Sequence, residues 1–355
     1  MFAVLIVAAA LWGLGWMMGA SLRARLATLA VLYVAVLAVQ FALPEGAQLR
    51  AATGDSPAPW LALGVVGAMV GGYGAGLRRL RARVAAGAPA ETDRGGTFRE
   101  AELERYARHI VLREVGGPGQ KRLKAAKVLV VGAGGLGSPA LLYMAAAGVG
   151  TLGVIDDDMV ENANLQRQVI HTDGRIGMPK VFSAAEAIGA LNPYVTVRPY
   201  HRRLSEEIAT ELMAEYDLVL DGSDNFDTRY LVNRAAVVAG VPLIAAAMTQ
   251  WEGQISLYDP ARGGPCFECI FPERPAPGLV PSCAEAGVIA PLPGVIGSMM
   301  ALEAVKHITG AGQGLRGRLV IHDALGAETR TIRLHPRADC PVCAGGGERA
   351  ASSGR

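Results

Sequence analysis

The strongest constraint on the fold of this chain is a short apolar run that ends in a glycine-rich turn. Val128–Val131 is apolar and mostly β-branched, as a parallel strand buried on both faces should be. Four glycines follow, three of them at the spacing G-x-G-x-x-G: Gly132, Gly134, Gly135 and Gly137. A turn of this kind, opening a helix, brings backbone N–H groups up to a phosphate. The sequence therefore predicts a nucleotide-binding βαβ unit, with NAD, FAD and ATP all open as ligands.

The N-terminal region differs from the rest of the chain in being apolar and almost free of charge. It is the main source of the positive mean hydropathy of +0.28. Three uncharged apolar runs occur there, at residues 2–20, 26–43 and 60–77. Eighteen helical residues span about 27 Å, close to the roughly 30 Å of a bilayer's hydrocarbon core, so each run is long enough to cross a membrane. The sequence therefore predicts three transmembrane helices in an anchor that covers residues 1–84.

Basic residues predict how this anchor is oriented. Arg23 and Arg25 occupy the short loop after the first run, and a cluster of arginines from Arg78 to Arg83 follows the third. The positive-inside rule places both segments in the cytoplasm. We therefore expect a multi-pass protein of the inner (cytoplasmic) membrane, in contact with membrane lipid and with its catalytic region facing the cytoplasm. The alternative is a soluble helical hairpin buried within an oligomer.

The remaining chain divides into a linker, a catalytic region and a tail. Residues 85–96 are rich in Ala, Gly, Pro and charge, as a flexible tether is. Residues 97–345 form the predicted catalytic domain, and residues 346–355 form a polar tail. Thr97-Phe-Arg-Glu100 has the form of a capping box, which predicts a helix that starts there and ends at about Val115.

Two acidic residues follow predicted strands of the nucleotide-binding region. The strand Thr151–Ile155 ends in Asp156, about twenty residues beyond the glycine turn, where an acid hydrogen-bonds ribose hydroxyls. The strand Leu218–Leu220 ends in an acidic turn that contains Asp224. A carboxylate at the same edge of a parallel sheet suits Mg²⁺ bound by one or two carboxylates and by phosphates.

Two basic residues favour ATP over NAD as the nucleotide. Arg167 lies in the segment Asn164–Gln168, and Lys180 follows in Gly177-Met-Pro-Lys180. Fixed cations stabilise the charge that builds up on a triphosphate as pyrophosphate leaves, whereas hydride transfer has no obvious need for them. An enzyme that uses ATP is therefore favoured, with an NAD-dependent oxidoreductase as the alternative from a different class.

Four of the five cysteines form two C-x-x-C pairs, which indicate a metal site. Each pair can present two thiolates to one tetrahedral Zn²⁺. A closed site with four cysteines leaves no open position for a substrate, so we expect a structural zinc ion, with iron as the alternative. The four residues are Cys266, Cys269, Cys340 and Cys343.

The fifth cysteine, Cys283, has two possible roles. Unpaired cysteines often serve as small buried apolar residues. A thiol on a loop could instead take an activated acyl group or a persulfide. The sequence leaves both roles open.

In combination, five motifs resemble those of the MoeB/ThiF/HesA family of ATP-dependent activating enzymes: Gly132–Gly137, Asp156–Asp158, Asn164–Gln168, Lys180 and Ser223–Asn225. The resemblance extends over about Phe98 to Cys343, and the family is related to the adenylation domain of ubiquitin-activating enzymes. It implies an α/β fold with a Rossmann-like, mainly parallel sheet and helices on both faces. It also implies an antiparallel extension of the sheet, which we place at residues 254–258 and 318–322.

The resemblance implies roles for individual residues of the nucleotide site. Gly135 would approach the phosphates so closely that a side chain there would press on them. Asp156 would hold the ribose, and Asp224 would position Mg²⁺. Arg167 and Lys180 would stabilise the triphosphate. The implied nucleotide-binding set is Gly132, Gly134, Gly135, Gly137, Asp156, Asn164, Arg167, Lys180 and Asp224.

Three further features are implied by the same resemblance. Arg108, on the first predicted helix of the catalytic domain, matches an arginine that in the family reaches from one subunit into its partner's site. This match implies a homodimer with Arg108 as a catalytic residue. The family's tetracysteine zinc site matches both C-x-x-C pairs, and a cysteine at the place of Cys283 lies on a mobile loop, where its need varies between branches.

The leading hypothesis for function is ATP-dependent adenylation of a protein's C-terminus. The substrate would be a small ubiquitin-like sulfur carrier that ends in Gly-Gly, of the molybdopterin or thiamine biosynthesis type, and pyrophosphate would be released. Alternative substrates with the same chemistry are a carboxylate on a small molecule or a modified tRNA base. A membrane-tethered docking module without catalysis is a third possibility. A net charge of only +2 gives no reason to expect a nucleic-acid partner.

Overall fold

The computed structural model describes residues 2–54, 56–87, 97–275 and 286–344. The chain forms two compact units, residues 1–92 and residues 93–355, which are described one at a time. Cys283, the predicted polar tail and most of the predicted linker lie outside the described residues.

The N-terminal unit is helical. One of its helices, α2, contains a stretch from Ala24 to Ala42 that is long and apolar enough to cross a membrane. Only 11% of that stretch is buried within the protein. The apolar stretches of α1 and α4 are shorter, Ala3–Met17 and Ala58–Tyr73. The helices are α1 (Phe2–Met17), α2 (Leu22–Ala42), α3 (Gln48–Thr53) and α4 (Ala58–Gly87).

The prediction of three membrane spans is therefore reduced to one candidate among the described residues. The first predicted span, 2–20, is cut short because α1 ends at Met17 and Gly19 follows with a φ of 69°, in the left-handed region that ends helices. The third predicted span, 60–77, lies inside the longer helix α4, whose apolar stretch ends at Tyr73.

Polar contacts join the helices of this unit at Trp60. The Tyr33 hydroxyl donates to the Trp60 carbonyl oxygen at 2.7 Å, and the Trp60 indole N–H donates to the Thr53 carbonyl oxygen at 2.9 Å. The Gln40 amide also donates to the Thr53 hydroxyl at 2.7 Å. Trp60 is buried, so it packs inside the unit.

The second unit is built on one sheet of eight strands in the order β3-β2-β1-β4-β5-β6-β7-β8. The first five of these run parallel, and β6, β7 and β8 continue the sheet antiparallel, as predicted for residues 254–258 and 318–322. The strands β3 and β8 form its two edges. The strands are β1 (Lys127–Val131), β2 (Thr151–Ile155), β3 (Thr196–Tyr200), β4 (Leu218–Asp221), β5 (Leu243–Thr249), β6 (Glu252–Tyr258), β7 (Arg318–Asp323) and β8 (Glu328–Arg333).

Helices cover both faces of the sheet, as the family resemblance implies. On one face, Val128 and Val130 of β1 join a core that includes residues of α7 and α12. On the other face, Leu129 and Val131 join a core that includes residues of α9 and α10. The helices are α5 (Glu100–Ile110), α6 (Gly116–Ala125), α7 (Gly137–Ala147), α8 (Lys180–Leu191), α9 (Glu206–Ala214), α10 (Phe226–Ala239), α11 (Phe267–Ile270) and α12 (Pro291–Thr309).

The first helix of this unit differs from its prediction at both ends. It begins at Glu100 because the cap is made by Glu102, whose carboxylate accepts the backbone N–H of Arg99 at 3.0 Å. The predicted box, Thr97 with Glu100, is two residues too early. The helix ends at Ile110, and a second helix starts at Gly116, whose φ of 59° does not fit a continuous right-handed helix.

A fully buried asparagine, Asn192, ties α8 to its neighbours. Its side-chain amide donates to the Tyr106 hydroxyl at 2.8 Å and to the Ala145 carbonyl oxygen at 2.7 Å. Its side-chain oxygen accepts the backbone N–H of Tyr194 at 3.2 Å. These bonds connect α5, α7 and the segment that leads into β3.

We expect Asn192→Ala to lower the free energy of unfolding of this unit by about 2 kcal/mol, because it leaves buried polar groups without partners. The free energy can be read from hydrogen exchange of the amides in β1 and β2, which report global opening. Asn162→Ala, at an exposed position, is the matched control and should change it little. An equal effect of the two substitutions would contradict this account of Asn192.

Candidate active site

The glycine turn after β1 is shaped by close contacts within the protein. A Cβ atom at Gly137 would lie 1.9 Å from the Gly132 carbonyl oxygen, so α7 packs directly on the turn. Gly132 has a φ of 92°, and a Cβ atom there would lie 3.3 Å from the Gly222 carbonyl oxygen. Both positions therefore require glycine for packing as well as for access to a ligand.

The structure changes the interpretation of Gly135. A Cβ atom at this position would lie 3.2 Å from Cβ of Pro293 in α12 and 3.5 Å from Cε of Met248 in β5. A larger side chain at Gly135 would therefore meet the protein itself. The expected contact of such a side chain with the phosphates stays a prediction.

A cavity of about 750 Å³ opens at the carboxyl ends of the parallel strands, beside the glycine turn. Most of the predicted nucleotide-binding residues line it: Gly132, Gly134, Gly135, Asp156, Arg167, Lys180 and Asp224. Gly137 and Asn164 do not line the cavity. Arg108 is exposed on α5 and is not part of the cavity either.

Asp156 is anchored to the glycine turn by its carboxylate. One oxygen accepts the backbone N–H of Ala133 at 2.8 Å, and the other accepts the backbone N–H of Asp158 at 2.8 Å. Burial raises the pKa of Asp156 above its ordinary value, although both N–H groups favour the ionised form. Because each carboxylate oxygen has two lone pairs, acceptor capacity remains for the hydroxyls of a ribose.

The two predicted cations are both held in place by neighbouring side chains. Lys180 is only 4% exposed, and its ammonium lies 2.7 Å from a carboxylate oxygen of Asp158. The Arg167 guanidinium donates to the side-chain oxygen of Asn164 at 3.0 Å. Asn164 therefore contacts Arg167, and its expected role at the nucleotide stays a prediction.

The end of β4 supplies two carboxylates in different environments. Asp221 is buried, and one of its oxygens accepts both the N–H and the hydroxyl of Ser223, at 2.9 and 2.6 Å. Asp224 is exposed in the cavity and has no partner among the described residues. Across the cavity, carboxylate oxygens of Asp156, Asp157 and Asp158 lie within 4.8 Å of one another. Oxygen donors of this kind fit Mg²⁺, which prefers carboxylates, phosphates and water.

Several lining residues were not assigned roles from the sequence. Gln168 is 4% exposed, and its side-chain oxygen has no partner among the described residues. It lies in the motif Asn164–Gln168, so its place at the site could have been inferred. Arg202 and Arg203 follow β3, a strand that the sequence pattern did not reveal because none of its residues is fully buried.

Beneath the cavity, a histidine supports the glycine turn. His171 is buried, with one ring nitrogen 2.9 Å from the Ala133 carbonyl oxygen and the other 2.9 Å from the Ser183 hydroxyl. Burial lowers the pKa of His171 below its ordinary value, which favours a neutral ring. A neutral ring with one donor and one acceptor satisfies both contacts.

The four cysteines of the two C-x-x-C pairs lie together, as predicted. The Sγ atoms of Cys266 and Cys269 are 3.8 Å apart, those of Cys266 and Cys340 are 3.6 Å apart, and those of Cys269 and Cys343 are 3.4 Å apart. Four thiolates bound to one tetrahedral Zn²⁺ at 2.3 Å are separated by about 3.8 Å. The arrangement therefore fits a closed, four-coordinate metal site.

The sequence of the second unit is similar to that of known proteins. The ThiF family model matches residues 106–342, so the N-terminal unit lies outside the match. A sulfur carrier protein adenylyltransferase from Thermus thermophilus is 52% identical over 248 residues, which are 68% of this chain and 91% of the relative. The SAMP-activating enzyme E1 from Haloferax volcanii is 48% identical over 246 residues, which are 69% of this chain and 90% of the relative.

A solved structure shows the same fold. The crystal structure of E. coli MccB with ATP superposes with a TM-score of 0.59 at 24% identity, over 72% of this chain and 76% of MccB. The family match covers the glycine turn, the cavity residues that follow it and three cysteines of the metal site, and Cys343 lies one residue beyond its end. With the identity to adenylyltransferases, it shows that this chain is an adenylyltransferase that belongs to the ThiF family.

Proposed function

We propose that this enzyme uses ATP to adenylate the C-terminal glycine carboxylate of a small ubiquitin-like sulfur carrier protein, with release of pyrophosphate. The main support is the single cavity in which a glycine turn, two fixed cations and several carboxylates face one another. The names of the similar proteins from Thermus thermophilus and Haloferax volcanii support a protein substrate over a small molecule or a tRNA base.

Each group at the cavity has a part in this reaction. Backbone N–H groups of the glycine turn would hold the phosphates, and Asp156 would accept hydrogen bonds from the ribose hydroxyls. Arg167 and Lys180 would stabilise the negative charge that develops on the leaving pyrophosphate. The carrier's carboxylate attacks the α-phosphorus, so no protein nucleophile is needed in this step and any role of Cys283 would belong to a later transfer. Positioning and charge stabilisation would therefore provide most of the acceleration.

Two metal ions fit the donor sets of this chain. Mg²⁺, with Asp224 as a ligand, would neutralise phosphate charge when it is bound. Zn²⁺ would be held by the four cysteines as a structural ion. Burial raises the pKa of Cys343 to about 12, so this thiol is protonated at neutral pH until a metal displaces the proton.

Arg108 would act in the site of a second copy of the chain. It is exposed on α5 and lies outside the cavity of its own chain. Its neighbour Arg105 is already engaged, since its guanidinium donates to the Leu191 carbonyl oxygen at 2.8 Å. A homodimer in which each Arg108 enters the partner's cavity would give this exposed cation a catalytic role.

The N-terminal unit would tether the enzyme to the cytoplasmic face of the inner membrane. The support is the apolar stretch Ala24–Ala42 and the exposed apolar side chains within it, such as Val31, Val34 and Phe41. Arg25, at the start of this stretch, is its only Asp, Glu, Lys, Arg or His residue, which favours an anchor over a transport path. A tether would keep the enzyme near a membrane-bound partner.

We expect Asp224→Asn to lower carrier-dependent ATP–pyrophosphate exchange by about a hundredfold, because it removes a charged ligand from the phosphate site. The assay should use a carrier that ends in Gly-Gly, with a carrier lacking the two glycines as the substrate control. Asp173→Asn, at an exposed acidic position outside the cavity, should leave the exchange unchanged. Wild-type exchange in Asp224→Asn, or exchange that does not depend on the two glycines, would contradict the proposal.

Mixing two inactive variants tests the role of Arg108. Arg108→Ala and Lys180→Ala should each abolish exchange in pure preparations. If each cavity is completed by the partner, a mixed dimer has one intact cavity, and random reassociation should restore about a quarter of wild-type exchange. No recovery after verified subunit exchange would show that Arg108 does not act across the dimer.

Membrane attachment can be tested in α2. The full-length chain should remain with membranes after a carbonate wash. Replacing both Val31 and Val34 by Asp should release it, since a charged residue near the centre of a spanning helix costs about 3 kcal/mol. Replacing both residues by Leu is the control and should leave the protein in the membrane fraction. A wild-type chain found in the soluble fraction would refute the anchor.

A further inference from the structure

The turn between Cys266 and Cys269 is fixed to α10. The side-chain oxygen of Asn233 accepts the backbone N–H of Phe267 at 2.9 Å. The Arg234 guanidinium donates to both carboxylate oxygens of Glu268, at 2.9 and 3.2 Å. Phe267 and Glu268, the two residues between the cysteines, are thus both held by α10, which begins at the cavity.

Phe267 faces the cavity from this turn. It is 4% exposed and is one of the cavity's lining residues. Its ring meets Tyr230 and Tyr258 edge to face, with centroids 5.4 and 5.7 Å away, and it packs against Phe271 at 4.9 Å. Three aromatic neighbours leave the ring little freedom to move unless the cysteine turn moves with it.

Arg229 connects Phe267 to the wall of the cavity. Its guanidinium carbon lies 6.0 Å from the centroid of the Phe267 ring. The same guanidinium donates to the Ser223 carbonyl oxygen at 2.8 Å and to the Ala246 carbonyl oxygen at 2.9 Å. Arg229 therefore bridges the loop after β4, which leads directly into Asp224, and the middle of β5.

The contacts of Arg229 are buried, and they require a planar group at this position. Arg229 is only 6% exposed, and the hydrogen-bond partners of its guanidinium among the described residues are these two backbone carbonyls. A planar guanidinium can reach two acceptors while it stacks on an aromatic ring, which an ammonium cannot do. The Phe267 ring thus lies against the guanidinium that holds the loop before Asp224.

We propose that metal binding at the four cysteines and nucleotide binding in the cavity are energetically coupled through Phe267 and Arg229. The metal fixes the cysteine turn and therefore the ring, whereas the nucleotide fixes the loop that contains Ser223 and Asp224. Both ligands favour the same position of Arg229, so each strengthens the binding of the other. Coupling between two sites is reciprocal, so the effect of ATP on the metal measures the effect of the metal on ATP. The inference rests on the proposed function in that the cavity must bind ATP.

The test measures the zinc affinity of the full-length protein by equilibrium competition with a chelating dye, with and without saturating Mg²⁺ and ATP. In the wild-type protein, ATP should raise the zinc affinity by about fivefold or more. In Phe267→Leu, which keeps an apolar side chain but removes the ring, ATP should no longer raise it. Arg229→Lys, which keeps the charge but not the planar bridge, should show the same loss.

Phe226→Leu is the matched control for Phe267→Leu. Phe226 also lines the cavity, but none of the ring contacts found among the described residues joins it to Phe267. ATP should therefore still raise the zinc affinity of this variant at a concentration that saturates it. Loss of the effect in Phe226→Leu as well would overturn the pathway through Phe267.

Two further measurements separate this inference from the proposed function. Zinc content by atomic absorption and ATP affinity by calorimetry establish whether each site exists in each variant. Absence of ATP binding to the wild-type protein would reject the nucleotide site itself. Binding of both ligands with identical zinc affinity in the presence and absence of ATP would reject the coupling alone, as would an undiminished effect of ATP in Phe267→Leu and Arg229→Lys.

Discussion

The close approach of α7 to the turn that precedes it is the constraint on which the site depends. A methyl group at Gly137 would overlap the Gly132 carbonyl oxygen, so helix and turn fit together only without side chains there. Strand β1, which leads into the turn, is buried by a separate core on each face. The backbone of the turn is thus held by the interior of the protein, and in the proposed function its N–H groups would need no rearrangement before a phosphate arrives.

The sequence revealed the parts of the fold in which burial is strongest. Strands β1, β2 and β4 were predicted within one residue of their ends, because their apolar runs are buried on both faces. Strand β3 was missed since its residues are only half-buried, and the arginines that follow it were missed with it. The cap of α5 was misplaced because Glu100 and Glu102 could each be the acidic residue of a capping box. Only the hydrogen bond from the Arg99 N–H to Glu102 shows which of them makes the cap.

At the site, the residues could be predicted but their pairing could not. Asp156, Arg167, Lys180 and Asp224 all line the cavity, as their positions after strands and within motifs suggested. That Asp158 pairs with Lys180, and that Asn164 orients Arg167, depends on the path of the loop after β2. The contacts of Arg229 could not be predicted either. Its two carbonyl partners are distant in sequence from each other and come together only through the order of the strands in the sheet.

The two edges of the sheet determine whether molecules of this protein can pair strand to strand when they are concentrated, as they would be on a surface. An unpaired edge strand can recruit a strand from another molecule. At one edge, Pro199 within β3 lacks the N–H group that such pairing requires. At the other edge, every residue of β8 is exposed and the strand carries Glu328, Arg330 and Arg333. Neither edge is a good template for another strand, so crowding should not drive these molecules into extended sheets.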